Sequence, residues 1–470
     1  MVKPRLITVA LIIVANLLTA CSFFPLDPPP PRSYSVSLSD VDGDGDADAV
    51  VGNGPSYSDS GPRNADGSRT ANSIWLNDGS GHFTDSGRYL IGKHETDWDR
   101  THAVAPGDLD GDGDTDVIFV NAIYSPNTVW VNTLMHSGNA LQSPNTVWLN
   151  DGDGQFELHG EYQMEPNGEF DYGVSEGVAL GDLDGDGDLD AYVANCCRTG
   201  RGIVGTGSET IPVGHSNAYN MVWLNDGTGC FTDSGQRLGN SATGSVALGD
   251  LDGDGDLDAF EVNLGGRSES INSVTGNMVW LNDGTGHFTD SEQRLGNSDG
   301  HAIALGDLDG DGDLDAFVGN AHFGRADEVW LNDGDGQFTN SGQRLGDANT
   351  RTVVLDDVDR DGDLDAFVDH EVFSQVWMND GSGHFADSKQ RLNRGSQYAV
   401  NLADVDGDGD KDVFAIRFNG DYRVWRNDGT GHFGQERGWA MALLYLVVGG
   451  AIVLGLGLLG WRVIRSKRQG

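Results

Sequence analysis

Seven stretches of this 470-residue chain repeat the pattern DxDxDGDxD, beginning at Asp40, Asp108, Asp182, Asp250, Asp307, Asp357 and Asp404. Aspartate fills positions 1, 3, 5, 7 and 9, and glycine fills position 6 in every copy. The carboxylates are Asp40, Asp42, Asp44, Asp46 and Asp48 in the first loop and Asp108, Asp110, Asp112, Asp114 and Asp116 in the second. Asp182, Asp184, Asp186, Asp188 and Asp190 form the third, and Asp250, Asp252, Asp254, Asp256 and Asp258 the fourth. Asp307, Asp309, Asp311, Asp313 and Asp315 follow, then Asp357, Asp359, Asp361, Asp363 and Asp365, and finally Asp404, Asp406, Asp408, Asp410 and Asp412. Alternating carboxylates on a loop that turns at glycine can bring several oxygens to one point, which suits a hard cation. Calcium takes six to eight oxygens, and such a loop offers positions 1, 3 and 5, the main-chain carbonyl of 7 and a later acid. Magnesium, with a small octahedral shell that keeps its waters, suits the pattern less well. An EF-hand would need a Glu at position 12 between two helices; only Glu261 stands there, and its flanks read as strands. Arg360 replaces the position-4 glycine of the sixth loop, so that loop is expected to bind more weakly.

Charge agrees with a bound cation. The formal net charge is −44, and the seven loops supply 35 of the 73 acidic residues. The other 38 stand against 29 Lys and Arg, a far smaller imbalance. Five carboxylates in one tight turn repel by about several kcal/mol at an effective dielectric near ~20, and a divalent ion reverses the sign. So acidic a chain is also a poor partner for nucleic acid, whose phosphates are bound by Lys and Arg.

The loops lie between short strands. Ser245–Leu248 precedes one and Ala259–Val262 follows it, apolar and β-rich, bounded by Gly and Asp. After an insert of varying length each copy returns to a third strand with a tryptophan (Trp75, Trp148, Trp223, Trp280, Trp330, Trp377, Trp425), then an Asn-Asp-Gly turn. Asp-Gly between alternating apolar residues is a hairpin signal, because those residues tolerate positive φ. A fourth strand starts at the next Phe, as at Phe231. Seven units of four antiparallel strands between residues 33 and 436 predict an all-β fold, a seven-bladed β-propeller, in which radial repetition leaves only short sheet edges. The last unit's fourth strand is expected to be cut short after Phe433. The strands run in phase, with no strand exchange to close the ring, so closure is expected from packing of blade one on blade seven. The duplicated Ser125–Trp130 and Ser143–Trp148 segments are expected to lengthen a loop of blade two.

Loops and Trp-Asn-Asp-Gly turns together resemble the FG-GAP/VCBS repeat family, whose best-known members form the headpiece propeller of integrin α chains. The resemblance implies that position 9, here Asp48, Asp116, Asp190, Asp258, Asp315, Asp365 and Asp412, is the later acid of each calcium loop.

The ends read as export and anchoring signals. Lys3 and Arg5 precede an apolar run to Ala20, with Leu18-Thr19-Ala20-Cys21 and a Pro-rich stretch behind it. This reads as a signal peptide over 1–20 and a linker over 21–32. The residues before Cys21 resemble a bacterial lipobox, implying lipidation of Cys21; the plainer reading is an ordinary signal with an incidental cysteine. From Gly438 to Trp461 the chain carries no charge, with Trp at both ends and Arg462, Arg465, Lys467 and Arg468 behind. That predicts a transmembrane helix over 438–461 and a basic cytoplasmic tail over 462–470, with the propeller on the extracytoplasmic side. A sorting-type tail removed after export is the alternative. Four cysteines are too few for a disulfide framework.

His82, His287, His384 and His432 recur in the turn before the fourth strand, where sisters carry Gln155, Cys230 and Gln337; a structural role is expected, as it is for the repeated Trp. Function should lie where repeats differ. The segments between strands two and three are long in blades one to four (52–73, 121–145, 195–220, 263–277) and share the face opposite the acidic loops. Six residues before each loop stand Tyr34, His102, Glu176, Gly244, His301, Arg351 and Tyr398, expected to ring the mouth of the channel on that face; Tyr34, His102, Glu176, His301, Arg351 and Tyr398 are the ligand-face candidates. No nucleophile elbow, metalloprotease helix or phosphate loop is present. The expected function is an exported, membrane-anchored, calcium-binding module for adhesion or for binding an extracellular or envelope protein or glycan, and not an enzyme. The alternatives are an exported enzyme acting on polysaccharide through His102, Glu176, His301 and Arg351, or a structural subunit of an envelope complex.

Overall fold

The computed structural model describes residues 32–54, 71–90, 99–123, 145–162, 172–199, 215–216, 219–264, 276–296, 300–321, 324–370, 373–392, 397–417 and 421–435. They form seven antiparallel sheets, each built from four strands consecutive in sequence and hydrogen-bonded in that order. The third sheet carries one additional short strand, His215–Ser216, at the end of its second strand. No helix occurs among the described residues, and none is long and apolar enough to cross a membrane. The expected signal, lipidated Cys21, linker, transmembrane segment and tail lie outside the described residues, as do Ser125–Trp130 and most of the long inserts.

Seven inner strands stand around the axis and touch their neighbours in a closed circle: Arg32–Ser39, Asp99–Gly107, Tyr172–Gly181, Thr243–Gly249, Gly300–Gly306, Thr350–Asp356 and Gln397–Ala403. The second strand of each blade begins at the ninth loop residue, and the third ends at the Asn of the Asn-Asp-Gly turn. The last blade's outer strand is described over Phe433–Gln435, and the residues behind it, on which the expected truncation falls, lie outside the described residues.

The hydrophobic core is divided among the spaces between blades. Second-strand faces are completely covered, as in the Asp258–Asn263 strand, because each packs against the next blade. One cluster joins Phe260, Val262 and Val279 of blade four to Ala316, Trp330 and Phe338 of blade five, and its counterparts recur around the ring. Six of the seven repeated Trp are buried in these interfaces, which is the packing role expected of them. The outer-strand Phe of one blade meets the second-strand aromatic of the preceding blade edge-on, as in Phe260–Phe338 at 5.1 Å and Phe317–Phe385 at 5.3 Å.

Closure uses the same contacts. Ala49, Val51 and Phe83 of blade one pack with Val405, Phe414 and Ile416 of blade seven, and Phe83 lies 4.6 Å from Phe414. A second device runs round the whole ring. The Nδ2 of each turn asparagine (Asn77, Asn150, Asn225, Asn282, Asn332, Asn379, Asn427) donates to the position-2 carbonyl of the preceding blade's acidic loop at 2.7–2.9 Å. Asn77, bound to Val405, makes the seventh of these clamps and closes the circle.

Candidate functional site

The acidic loops share one backbone design. In six loops the position-1 carboxylate accepts the amides of positions 4 and 6, as Asp40 does from Gly43 at 2.8 Å and Gly45 at 3.0 Å, while in loop six Asp357 accepts those of Asp361 and Gly362. The position-5 carboxylate accepts the amide of position 7, as Asp44 does from Asp46 at 3.0 Å. Position 6 lies at φ near +95°, as in Gly45, a conformation that favours glycine. The position-7 side chain leans on the glycine of the Asn-Asp-Gly turn; a Cβ on Gly227 would fall 2.4 Å from Asp188 Oδ2. That contact explains why this turn residue stays glycine.

Position 9 is fully buried in all seven loops. Its Oδ1 accepts the amide of the turn asparagine in every blade, as Asp190 does from Asn225 at 2.8 Å. In the first six loops its Oδ2 accepts the amide of position 2, as Asp190 does from Leu183 at 2.9 Å. Burial pushes Asp48, Asp116, Asp190, Asp258 and Asp315 up to about 6 and Asp365 and Asp412 up to about 7, although the amides pull the other way.

This geometry fits a hard cation. Carboxylate oxygens of Asp40, Asp42 and Asp48 lie within 4.8 Å of one another, as do those of Asp108, Asp110 and Asp116, those of Asp182, Asp184 and Asp190, and the 1-3-5 sets of the fourth and fifth loops. Oxygens on one calcium, each about 2.3–2.6 Å from it, would span such distances. Oδ1 of Asp42 is buried without a hydrogen-bond partner, and every donor is oxygen. Position 7 turns its carboxylate to the turn glycine, consistent with its expected part through the main-chain carbonyl. Arg360, at φ +64°, sends its guanidinium to Asp410 of the seventh loop, away from its own.

On the opposite face, the sequence candidates prove to be bulge residues. In each inner strand the pairing with the second strand skips one residue, and the skipped residues are Tyr34, His102, Glu176, Gly244, His301, Arg351 and Tyr398. A bulge re-aims a side chain that would otherwise alternate with the pleat. His102 Nδ1 lies 2.5 Å from Glu176 Oε2, and the Tyr34 and His102 rings stack with centroids 6.0 Å apart. Burial pushes the Glu176 carboxyl up, but His102, Cys196 and His301 outweigh it and hold the group below its usual range. Burial, with Arg351 and His102 adding to it, lowers His301 despite the attraction of Glu176. His301 Nδ1 is buried and meets no hydrogen-bond partner among the described residues. Only the backbone position of Tyr398 is described.

Sequence reasoning missed what supports these bulges. Ser33, Thr101, Ser175 and Thr243, each just before the bulge, bond to Asn53, Asn121, Asn195 and Asn263 at the second strand's far end. The amides of those asparagines are held in turn by Asn72, Asn145, Asn220 and Asn277. The signal was present as an Asn recurring at fixed distance behind the first five loops, Asn53, Asn121, Asn195, Asn263 and Asn320. Glu261 is buried in a strand, accepts from Tyr192 OH at 2.5 Å, and takes no part in a loop, as rejection of the EF-hand requires. His82 and His384 are largely exposed beside Asp78 and Asp380. Cys196 is buried and Cys230 exposed, and neither forms a disulfide.

A model of the FG-GAP-like repeat matches residues 40–119, 129–193, 208–260, 270–318 and 307–368. No curated protein sequence matches the chain. Among solved structures, similarity is found to an Agrocybe aegerita lectin described as recognising non-reducing terminal N-acetylglucosamine, at 18% identity over 77% of this chain and 86% of that one, TM-score 0.46. BBS1N, solved in complex with ARL6DN, is 9% identical over 88% and 95% with TM-score 0.49. The BP39L lectin of Burkholderia pseudomallei is 13% identical over 87% and 98% with TM-score 0.49. All three scores are low, and the reading of the site comes from the chain's own repeats and geometry.

The position-9 shifts set a pH dependence for chelator-treated protein. Carboxyls raised above 3.8 take up protons on folding, so their stabilisation is full below about pH 4 and is lost as pH rises through 6 to 7. The melting temperature of the metal-free protein is expected to fall between pH 4.5 and 7.5; a flat or rising curve in a thermal melt series would contradict this.

Proposed function

The chain belongs to the FG-GAP-like repeat family, and from that premise we propose that it is a calcium-stabilised recognition module, tethered to a membrane and presenting its bulge-bearing face to an extracellular or envelope protein or glycan. The observation that carries this reading is the bulge ring. All seven inner strands break register at the same place, and the residue released there differs between blades far more than the rest of the repeat. A framework that repeats while one aimed position varies is what selection for a ligand leaves behind, because loops and bulges on a rigid scaffold carry specificity.

The acidic loops serve the framework. Positions 1, 3, 5 and 9 with the carbonyl of position 7 would hold calcium, whose charge would offset the repulsion among five carboxylates. Binding to the folded state alone would stabilise it by about 2.7 kcal/mol per site at a hundredfold excess over Kd. For the full chain in detergent, calcium is expected to raise the melting temperature strongly over chelator, with several ions bound by metal analysis. No shift and no metal would remove calcium from the reading.

Residues 438–461 are proposed to anchor the chain with its basic tail in the cytoplasm, with Cys21 as a second, lipidated attachment. Detergent, and not alkaline carbonate, should release the full chain from membranes; release by carbonate would refute the anchor.

A second reading, an enzyme acting on polysaccharide, is favoured by one observation, the 2.5 Å contact between His102 and an ionised Glu176. His102→Ala and Glu176→Ala separate the two. Recognition predicts binding to an immobilised glycan or protein partner weakened about tenfold or more, the cost of losing a charge-assisted hydrogen bond, with no turnover in either the parent or the variants. Polysaccharide cleavage by the parent that both variants abolish would establish catalysis instead.

A further inference from the structure

Loop seven differs from its six sisters in its surroundings. Arg426 Nη1 is ion-paired with Asp406, the position-3 carboxylate, whose side chain is only 6% exposed. Arg360, reaching across from loop six, is ion-paired with Asp410 at position 7, 10% exposed. Among the described residues no Lys or Arg pairs with an aspartate of any other acidic loop. Oδ2 of Asp412 accepts no hydrogen bond, whereas its counterparts in the six sisters hold the position-2 amide.

Both arginines are departures from the repeat. Where Arg426 follows the third-strand Trp, the sisters carry Leu76, Leu149, Leu224, Leu281, Leu331 and Met378. Where Arg360 stands, the sisters carry glycine, and Arg360 keeps a left-handed backbone at φ +64° that disfavours any side chain. Two independent substitutions in different blades converge on one loop.

We propose that loop seven is neutralised by these two guanidinium groups and remains free of calcium at concentrations that fill the other six loops. The inference rests on the calcium reading above. A position-3 carboxylate is one of the oxygens a calcium ion would need, and here one of its oxygens is committed to a fixed cation. Oδ1 of Asp406 is still unbonded, but an ion reaching it would sit beside a like charge in a partly buried place, where repulsion is weakly screened.

The arrangement also says what the substitution is for. The other amino group of Arg426 donates to the Ser80 carbonyl of blade one at 2.5 Å, and Tyr422 OH donates to the Phe83 carbonyl at 2.9 Å. Blades three to six are stapled to their successors by Gln236, Gln293, Gln343 and Gln390, each bonded to a glycine carbonyl and a Phe amide of the next blade. The seam between blades seven and one uses Arg426 and Tyr422 in that place. A resident cation thus keeps closed, without metal, the one interface where the first and last blades meet.

The test is the calcium content of the full chain in detergent, dialysed against calcium and measured by atomic emission, for the parent and for the Arg360→Gly/Arg426→Leu double variant, which restores the repeat's own residues. Six ions in the parent and seven in the variant are expected. Seven in the parent, or an unchanged six in a folded variant, would overturn the inference and leave the calcium reading standing; no calcium in either protein would overturn both. Should the variant not fold, anomalous scattering from calcium in crystals of the parent decides, since an ion within Asp404–Asp412 contradicts the proposal and its absence there, with the other six loops occupied, supports it.

Discussion

In every blade a fully buried carboxylate at the end of the acidic loop accepts the amide of the Asn-Asp-Gly turn, and in six blades its other oxygen accepts the amide of the loop's second residue. Local and long-range order meet at that point. The second residue of the loop, held through its amide by its own blade, offers its carbonyl to the turn asparagine of the next. One aspartate therefore fixes the loop to the turn, and the turn to the neighbouring blade. Burying a carboxylate that both oxygens must satisfy is costly unless the partners are in place, so the loop, the turn and the blade contact form together or not at all. The raised pKa of the position-9 groups is the trace of that cost.

Repetition makes the cost bearable, because each interface supplies the same partners. Seven hydrophobic clusters, each shared by two blades, give every second strand a covered face on both sides. A blade alone could not bury its second strand, which is why stability in such an array comes from neighbour contacts more than from within a repeat. The Gln staples of blades three to six add bonds in the same direction, and Arg88, donating to the Asp153 carbonyl, stands in at the junction of blades one and two.

Most of the framework was legible in the sequence. Period-two apolar runs, seven acidic loops and seven Asn-Asp-Gly turns gave the number of blades, the strand order and the phase, since each is a local pattern with a local cause. The positions of Tyr34, His102, Glu176, His301 and Arg351 were legible as departures from a repeated strand, but the bulge that releases them was not, because a register shift depends on which residues face each other across two strands. The asparagine clamps escaped for the same reason: Asn225 and Leu109 are bonded across 116 positions of chain. The pairing of Arg360 with Asp410 was hidden as well, because sequence places the residue in loop six and only the packed blades bring its side chain to loop seven.

A ring of near-identical units can acquire function only by local departure, and the departures here fall on its two faces in different ways. On the acidic face the framework bonds are so shared that a change at one loop is felt by its neighbour, as the pairing of Arg360 with Asp410 illustrates. On the opposite face the bulge releases one residue per blade from the ladder between the first and second strands, where its side chain meets those of neighbouring blades, as His102 meets Glu176. In blades one to four serine or threonine bonded to asparagine holds the backbone beneath the bulge. Asp190 and Asn225 hold loop, turn and neighbouring blade at once, whereas Tyr34, His102, Glu176, His301 and Arg351 stand outside the ladder, and this difference separates the face that holds the ring together from the face proposed to recognise a ligand.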